Sequence, residues 1–126
     1  MRDILFKAKR IDNGEWVEGL LTIMWGQYHI INPNDENTAY PIDTDTICQY
    51  TGLTDKNGNK IWENDIIELD EDIYIVTWEE DDAMFALEDA SIVEHFSHVD
   101  SKWCEVVGNK FDNPELMKGS GEVQIK

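Results

Sequence analysis

The run from Gln49 to Leu69, QYTGLTDKNGNKIWENDIIEL, constrains the fold most, because it reads as a hairpin followed by an apolar strand. Asn57-Gly58 marks a tight reversal, since Asn and Gly best tolerate the positive φ that a two-residue turn requires. With those two at the tip, Lys56 is expected to face Asn59, Asp55 to face Lys60, Thr54 to face Ile61 and Leu53 to face Trp62. Opposite charges at Asp55 and Lys60 and apolar contact between Leu53 and Trp62 both support that register. Glu63-Asn64-Asp65 is then a sharp bend, with Asn64 expected at positive φ, before the strand Ile66 to Leu69.

The remainder alternates apolar and polar residues at strand period, broken by turn residues at short intervals, which predicts a mainly β chain built from antiparallel hairpins. Ile4 to Ile11 and Trp16 to Leu21 form two strands joined around Asn13-Gly14. Tyr28 to Ile31 follows Trp25-Gly26, Asn32 to Thr38 reads as an exposed loop, and Thr46 to Thr51 is a further strand. After Asp70-Glu71-Asp72 the strand Ile73 to Trp78 carries apolar side chains on both faces, so both faces are expected to be at least partly covered. Glu79 to Asp82 is an acidic loop and Ala83 to Leu87 a strand; Glu88 to Ser101 admits a short helix, a loop or a strand. Trp103 to Val107 is the last strand. Asn113-Pro114-Glu115 opens a short helical turn with Asn113 as N-cap, ahead of a loose tail from Lys118.

At 126 residues the chain fits one domain, grouped into an N-terminal lobe (1–50), a second lobe (51–112) and a tail (113–126). The apolar share of 41%, with five Trp, four Tyr and four Phe, is too high for a disordered acidic protein, so an ordered globule is expected. Against 10 Lys and Arg stand 27 Asp and Glu, a formal charge of −17 that argues against binding nucleic acid or an anionic membrane surface. The same charge serves solubility or attracts a basic partner. Cys48 and Cys104 lack CxxC spacing and read as buried thiols. No apolar run approaches a membrane span or signal peptide, so a soluble, cytoplasmic protein is expected.

Candidate sites are weak. Asp55, Asn57 and Asn59 have the spacing of a calcium loop's start, but Lys60 and Ile66 stand where that loop needs Gly and a bidentate acid, so a hairpin tip is the better reading. His95 and His98 with Cys104 suggest a metal site only if the two histidines share a helix face; in a strand they point apart. His29 reads as structural. Asp43 and Asp45, or Glu79 to Asp82, are paired acids expected by chance in so acidic a chain, and no nucleophile or phosphate-loop motif is present. No catalytic, cofactor-binding or metal residue is assigned, and no enzyme activity is expected. Trp62, Trp78 and Trp103 are expected in the core; Trp16 and Trp25, nearer turns, are better placed for a contact surface.

Taken together, MRDILFKAKR, TICQYTGLTDKNGNKIWENDIIEL and EVVGNKFDNPEL resemble the YopX-like family of bacteriophage and prophage proteins. In the family pattern the bend after the hairpin is Glu-Gly-Asp, and here Asn64 takes the Gly position, a conservative change for the backbone. The resemblance implies a β-rich fold whose central and C-terminal part is a small Src-homology-3-type barrel. It also implies self-association and no established reaction. Three functions remain to be separated: a homo-oligomeric protein-binding module, an acidic nucleic-acid mimic occupying a basic site on a host protein, and a metal-assisted hydrolase built on His95 and His98.

Overall fold

A computed structural model describes residues 4–89 and 93–121, in two compact units, Met1–Tyr50 and Thr51–Lys126. Strands dominate both.

The first unit is an antiparallel meander of β1 (Phe6–Lys9), β2 (Trp16–Met24), β3 (Gln27–Asn32) and β4 (Asp35–Pro41). A single 3-10 turn, Thr44–Thr46, leads into β5 (Cys48–Thr54), whose first residues pair with β1. The meander curls back on its first strand. Arg10 bridges Ile42, the Ile11 amide donates to the Pro41 carbonyl at 3.0 Å, and the Asp43 amide donates to the Lys9 carbonyl at 2.9 Å. Ala8, Ile30 and Ile42 are fully buried by this closure, with Phe6, Val17, Leu21, Tyr28 and Ile47 packed around them. Gly19 is obligatory here, because a Cβ at that position would overlap the Ile31 carbonyl oxygen.

Asn13-Gly14 is not the tip of a two-residue turn. Gly14 alone is left-handed (φ +74°), while the Arg10 amide bonds the Glu15 carbonyl at 2.9 Å across a four-residue loop. Asn13 contributes through its side chain, whose Oδ1 accepts the Glu15 amide at 2.9 Å. The true two-residue reversal is Trp25-Gly26, both left-handed (φ 52° and 77°), between the paired residues Met24 and Gln27. The expected loop Asn32 to Thr38 is also shorter: β4 begins at Asp35, and Asn32 pairs with Asp35 around Pro33-Asn34.

The second unit takes the end of β5, then β6 (Lys60–Trp62), β7 (Asp65–Leu69), β8 (Asp72–Glu79), β9 (Met84–Glu88) and β10 (Val93–His95). A short helix α1 (His98–Ser101), β11 (Glu105–Asn109) and helix α2 (Pro114–Gly121) follow. Strands β7 to β10 form a meander, and β11 returns beside β7, giving an antiparallel sheet of order β10-β9-β8-β7-β11, compatible with a small barrel-like fold. One face of this sheet supplies Ile67, Val76 and Leu87, which pack with Ile61, Phe96 and Cys104 into the core of the unit.

Several expectations need correction in this unit. The second hairpin has a three-residue loop: the Asp55 amide donates to the Asn59 carbonyl at 2.8 Å, so Asp55 lies opposite Asn59 rather than Lys60. Of Asn57 and Gly58 only the glycine is left-handed (φ +85°). Asn64 is left-handed as expected, at φ 74°. In the segment 88–101 the structure places β10 and α1, while residues 90–92 lie outside the described residues. Trp103 precedes the last strand and is 70% exposed, and Trp78 is 42% exposed, so only Trp62 of the three expected core tryptophans is buried. Helix α2 opens at Pro114 as expected, with the Asn113 carbonyl accepting the Leu116 amide at 3.0 Å while its Oδ1 accepts the Asn109 amide, and α2 continues through Lys118 to Gly121.

Candidate interaction surfaces

Asp55 is a buried carboxylate of the second unit, at 3% exposure. Its Oδ1 accepts the amides of Asn57 (2.9 Å) and Asn59 (2.8 Å), and its Oδ2 accepts the amide of Val106 on β11 (3.0 Å). Burial pushes this carboxyl upward, but the three backbone donors outweigh it and hold the group below the usual carboxylate range. Asp55 therefore ties the hairpin tip to the closing strand. Asp65 does similar work at the next bend, where its buried Oδ2 accepts the Trp62 amide at 2.8 Å. The calcium-loop spacing has its explanation here, since Asn57 and Asn59 give their amides to Asp55 rather than flanking a cavity.

The other suspected reactive groups lie apart. His29 Nδ1 is 2.9 Å from the Gln27 carbonyl, and His95 Nε2 is 3.0 Å from Asp82 Oδ2 at an exposed position. His98 is on α1, so the two histidines sit on different elements. Among the described residues no three of His, Cys, Asp and Glu gather as a metal-binding group. Cys48 and Cys104 are buried thiols outside any disulfide, and desolvation, reinforced by Asp100 and Asp55, pushes the Cys104 thiol up to about 11. That thiol stays protonated near neutrality. Asp43 caps the 3-10 turn by accepting the Asp45 amide.

Two surfaces of the first unit stand out instead. At one end of the meander Trp25 is 95% exposed at the hairpin tip, with Ile23 and Ile11 each more than half exposed. Beside it a cavity of about 560 Å³ is lined by Arg10, Ile11, Gly26, Tyr28, Ile42 and Asp43. Arg10 is pre-set there: its guanidinium bonds Asp12 at 2.6 and 2.9 Å and lies 4.3 Å from the Tyr40 ring centroid. The Asp12 bond raises the Arg10 pKa and lowers that of Asp12.

The second surface lies on the face of the sheet away from Ala8. Lys7 pairs with Glu18 and Lys9 with Trp16, so these four share one side with the half-exposed Leu20. Both ammonium groups reach the same indole, Lys7 Nζ at 4.6 Å and Lys9 Nζ at 5.5 Å from the Trp16 centroid. Sequence reading missed this grouping because it depends on loop length: a two-residue tip at Asn13-Gly14 would set Ile11, not Lys9, opposite Trp16.

These features define a small two-unit β protein whose described surface offers contact groups rather than an assembled set of reactive ones. The family model for YopX protein matches residues 6–118, and the chain belongs to that family. Among solved structures, the crystal structure of protein EF1440 from Enterococcus faecalis is similar, with a TM-score of 0.62 and 24% identity over 93% of this chain and 99% of that one; this likeness concerns the fold. No curated protein matches the sequence significantly. Among the described residues no helix is long and apolar enough to cross a membrane.

Proposed function

We propose that this chain is a non-enzymatic, homo-oligomeric protein-binding module of phage or prophage origin that works inside the bacterial cell. The observation that supports the reading most is Trp25, held 95% exposed in a left-handed backbone at a hairpin tip. A large aromatic side chain left in water forgoes roughly 2–3 kcal/mol of burial free energy, and a non-glycine residue at positive φ adds strain. Both costs are offset when the side chain is covered by a partner. The acids are less suited to mimicry of a phosphate backbone, because their two densest groups, Asp70–Asp72 and Glu79–Asp82, stand at opposite ends of β8 rather than in a spaced row.

Light scattering coupled to size exclusion tests the reading at micromolar chain concentration. A mass of two or more chains is expected, falling toward one chain in Trp25→Ala. A wild-type mass of one chain at every concentration overturns it.

A further inference from the structure

We propose that Trp25 of one copy inserts into the cavity beside Trp25 of a second copy, so that two chains exchange indoles across a two-fold axis. The inference rests on the self-association reading above and adds to it the surface that receives the ring.

Charge decides where two such chains can meet. Each carries a formal −17, so copies repel one another over most of their surface. No Asp, Glu, Lys or Arg occurs between Glu18 and Asp35, and no other interval in the chain is as long. That interval holds β2 from Gly19 onward, the Trp25-Gly26 tip and all of β3. The hairpin is therefore the part of the chain that a second copy approaches at least electrostatic cost. Exposed Ile23, close to the tip, adds apolar surface for the contact to cover.

The cavity suits an indole in size and chemistry. At about 560 Å³ it lies within the range of roughly 300–1,000 Å³ that encloses ligands larger than this ring. Ile11, Tyr28 and Ile42 line it with apolar surface. Arg10, whose charge is answered by Asp12, adds a planar cation of the kind that stacks on aromatic rings. A buried indole N–H needs an acceptor. Gln27 supplies one: its Nε2 donates to the Tyr28 and Ile42 carbonyls, each at 3.2 Å, which leaves Oε1 of this lining side chain to accept. Trp25 does not fill the cavity of its own chain, since it is 95% exposed, although the next residue, Gly26, is part of the wall. Ring and receptor thus adjoin on one surface. An isologous pairing covers both rings and fills both cavities in a single contact.

The test is a complementation read by sedimentation velocity. Trp25→Ala removes the ring, and Thr44→Trp places a bulky side chain in the cavity from an exposed position on its wall. Each should weaken association on the order of a hundred-fold, because the inserted ring is lost from both halves of the pair. An equimolar mixture of the two variants should associate more tightly than either alone, since Trp25 of the Thr44→Trp chain meets the intact cavity of the Trp25→Ala chain. That recovery also shows that both variants are folded. Unchanged association in Thr44→Trp, or a mixture that does not recover, overturns the exchange while leaving self-association standing. A wild-type chain that stays monomeric overturns both readings and leaves the ring and the cavity to a partner of another sequence.

Discussion

The two units bury apolar groups at different scales. The first has a core cluster built on Ala8, Ile30 and Ile42, and depends on backbone closure between β4 and β1. The second encloses Ile61, Ile67, Val76, Leu87, Phe96 and Cys104, and adds two buried carboxylates that satisfy the amides of its turns. A larger core supplies more burial free energy, so the second unit tolerates charged groups inside it. The first has less to spend, yet leaves Ile11, Leu20, Ile23 and Trp25 in solvent. The second leaves Trp78, Val99 and Trp103 in solvent as well, so the lesson is that the units differ in what they bury, carboxylates included, and not in whether they expose apolar groups.

The sharpest way to break the comparison is at Asp55. Asp55→Ala leaves the amides of Asn57, Asn59 and Val106 without their acceptor and should destabilise the second unit by about 4 kcal/mol in chemical unfolding. An effect below about 1 kcal/mol would show that the carboxylate is not what ties β11 to the hairpin.

In the first unit the matching change is Gly19→Ala, expected to cost about 3 kcal/mol through overlap with the Ile31 carbonyl. Thermal unfolding should show it, whereas Ala at the exposed left-handed Gly58 should cost only about 1 kcal/mol. Equal losses at the two glycines would contradict the close approach of β2 and β3.

Acidification separates the units differently. The folded-state pKa of Asp55 lies below its unfolded value of about 3.9, so its contribution is fully present above that value and is lost as pH falls through the folded pKa. Asp55→Asn should flatten that part of the stability–pH curve below about pH 4. A wild-type curve already flat there would refute the assignment.

Turn strain gives smaller effects. Asp70 and Glu71 are both left-handed, at φ 54° and 72°, between the paired residues Leu69 and Asp72. Replacing them with Asn-Gly should stabilise the second unit by about 1 kcal/mol in calorimetry. Trp25→Asn should stabilise the first by about 0.5 kcal/mol while weakening association, because Asn suits the backbone but removes the ring. A variant both less stable and equally associated would break the link between strain and contact.

The β class, the family and the left-handed Asn64 were legible in the residues, since alternation and φ tolerance are local properties. Hairpin register was not. The Asn-Gly pairs mark where the chain reverses, but loop length was settled by longer contacts: Asp55 reaching Val106 in one hairpin, and closure at Arg10 and Ile42 in the other. The two-residue slip between the expected and observed β1–β2 pairing moves Lys9 from Glu18 to Trp16, so this pairing stayed hidden although its members are close in sequence.

Tryptophan placement failed for a related reason. Trp62, Trp78 and Trp103 all lie among apolar neighbours, and nothing local distinguishes the buried one from the two exposed ones. By itself the order of residues determined strand period, reversal sites, the excess of acid and family membership, all of which are set by a few adjacent side chains and backbone torsions. Only the tertiary structure decided which faces are covered and which cations meet, because both depend on pairings that distant segments impose.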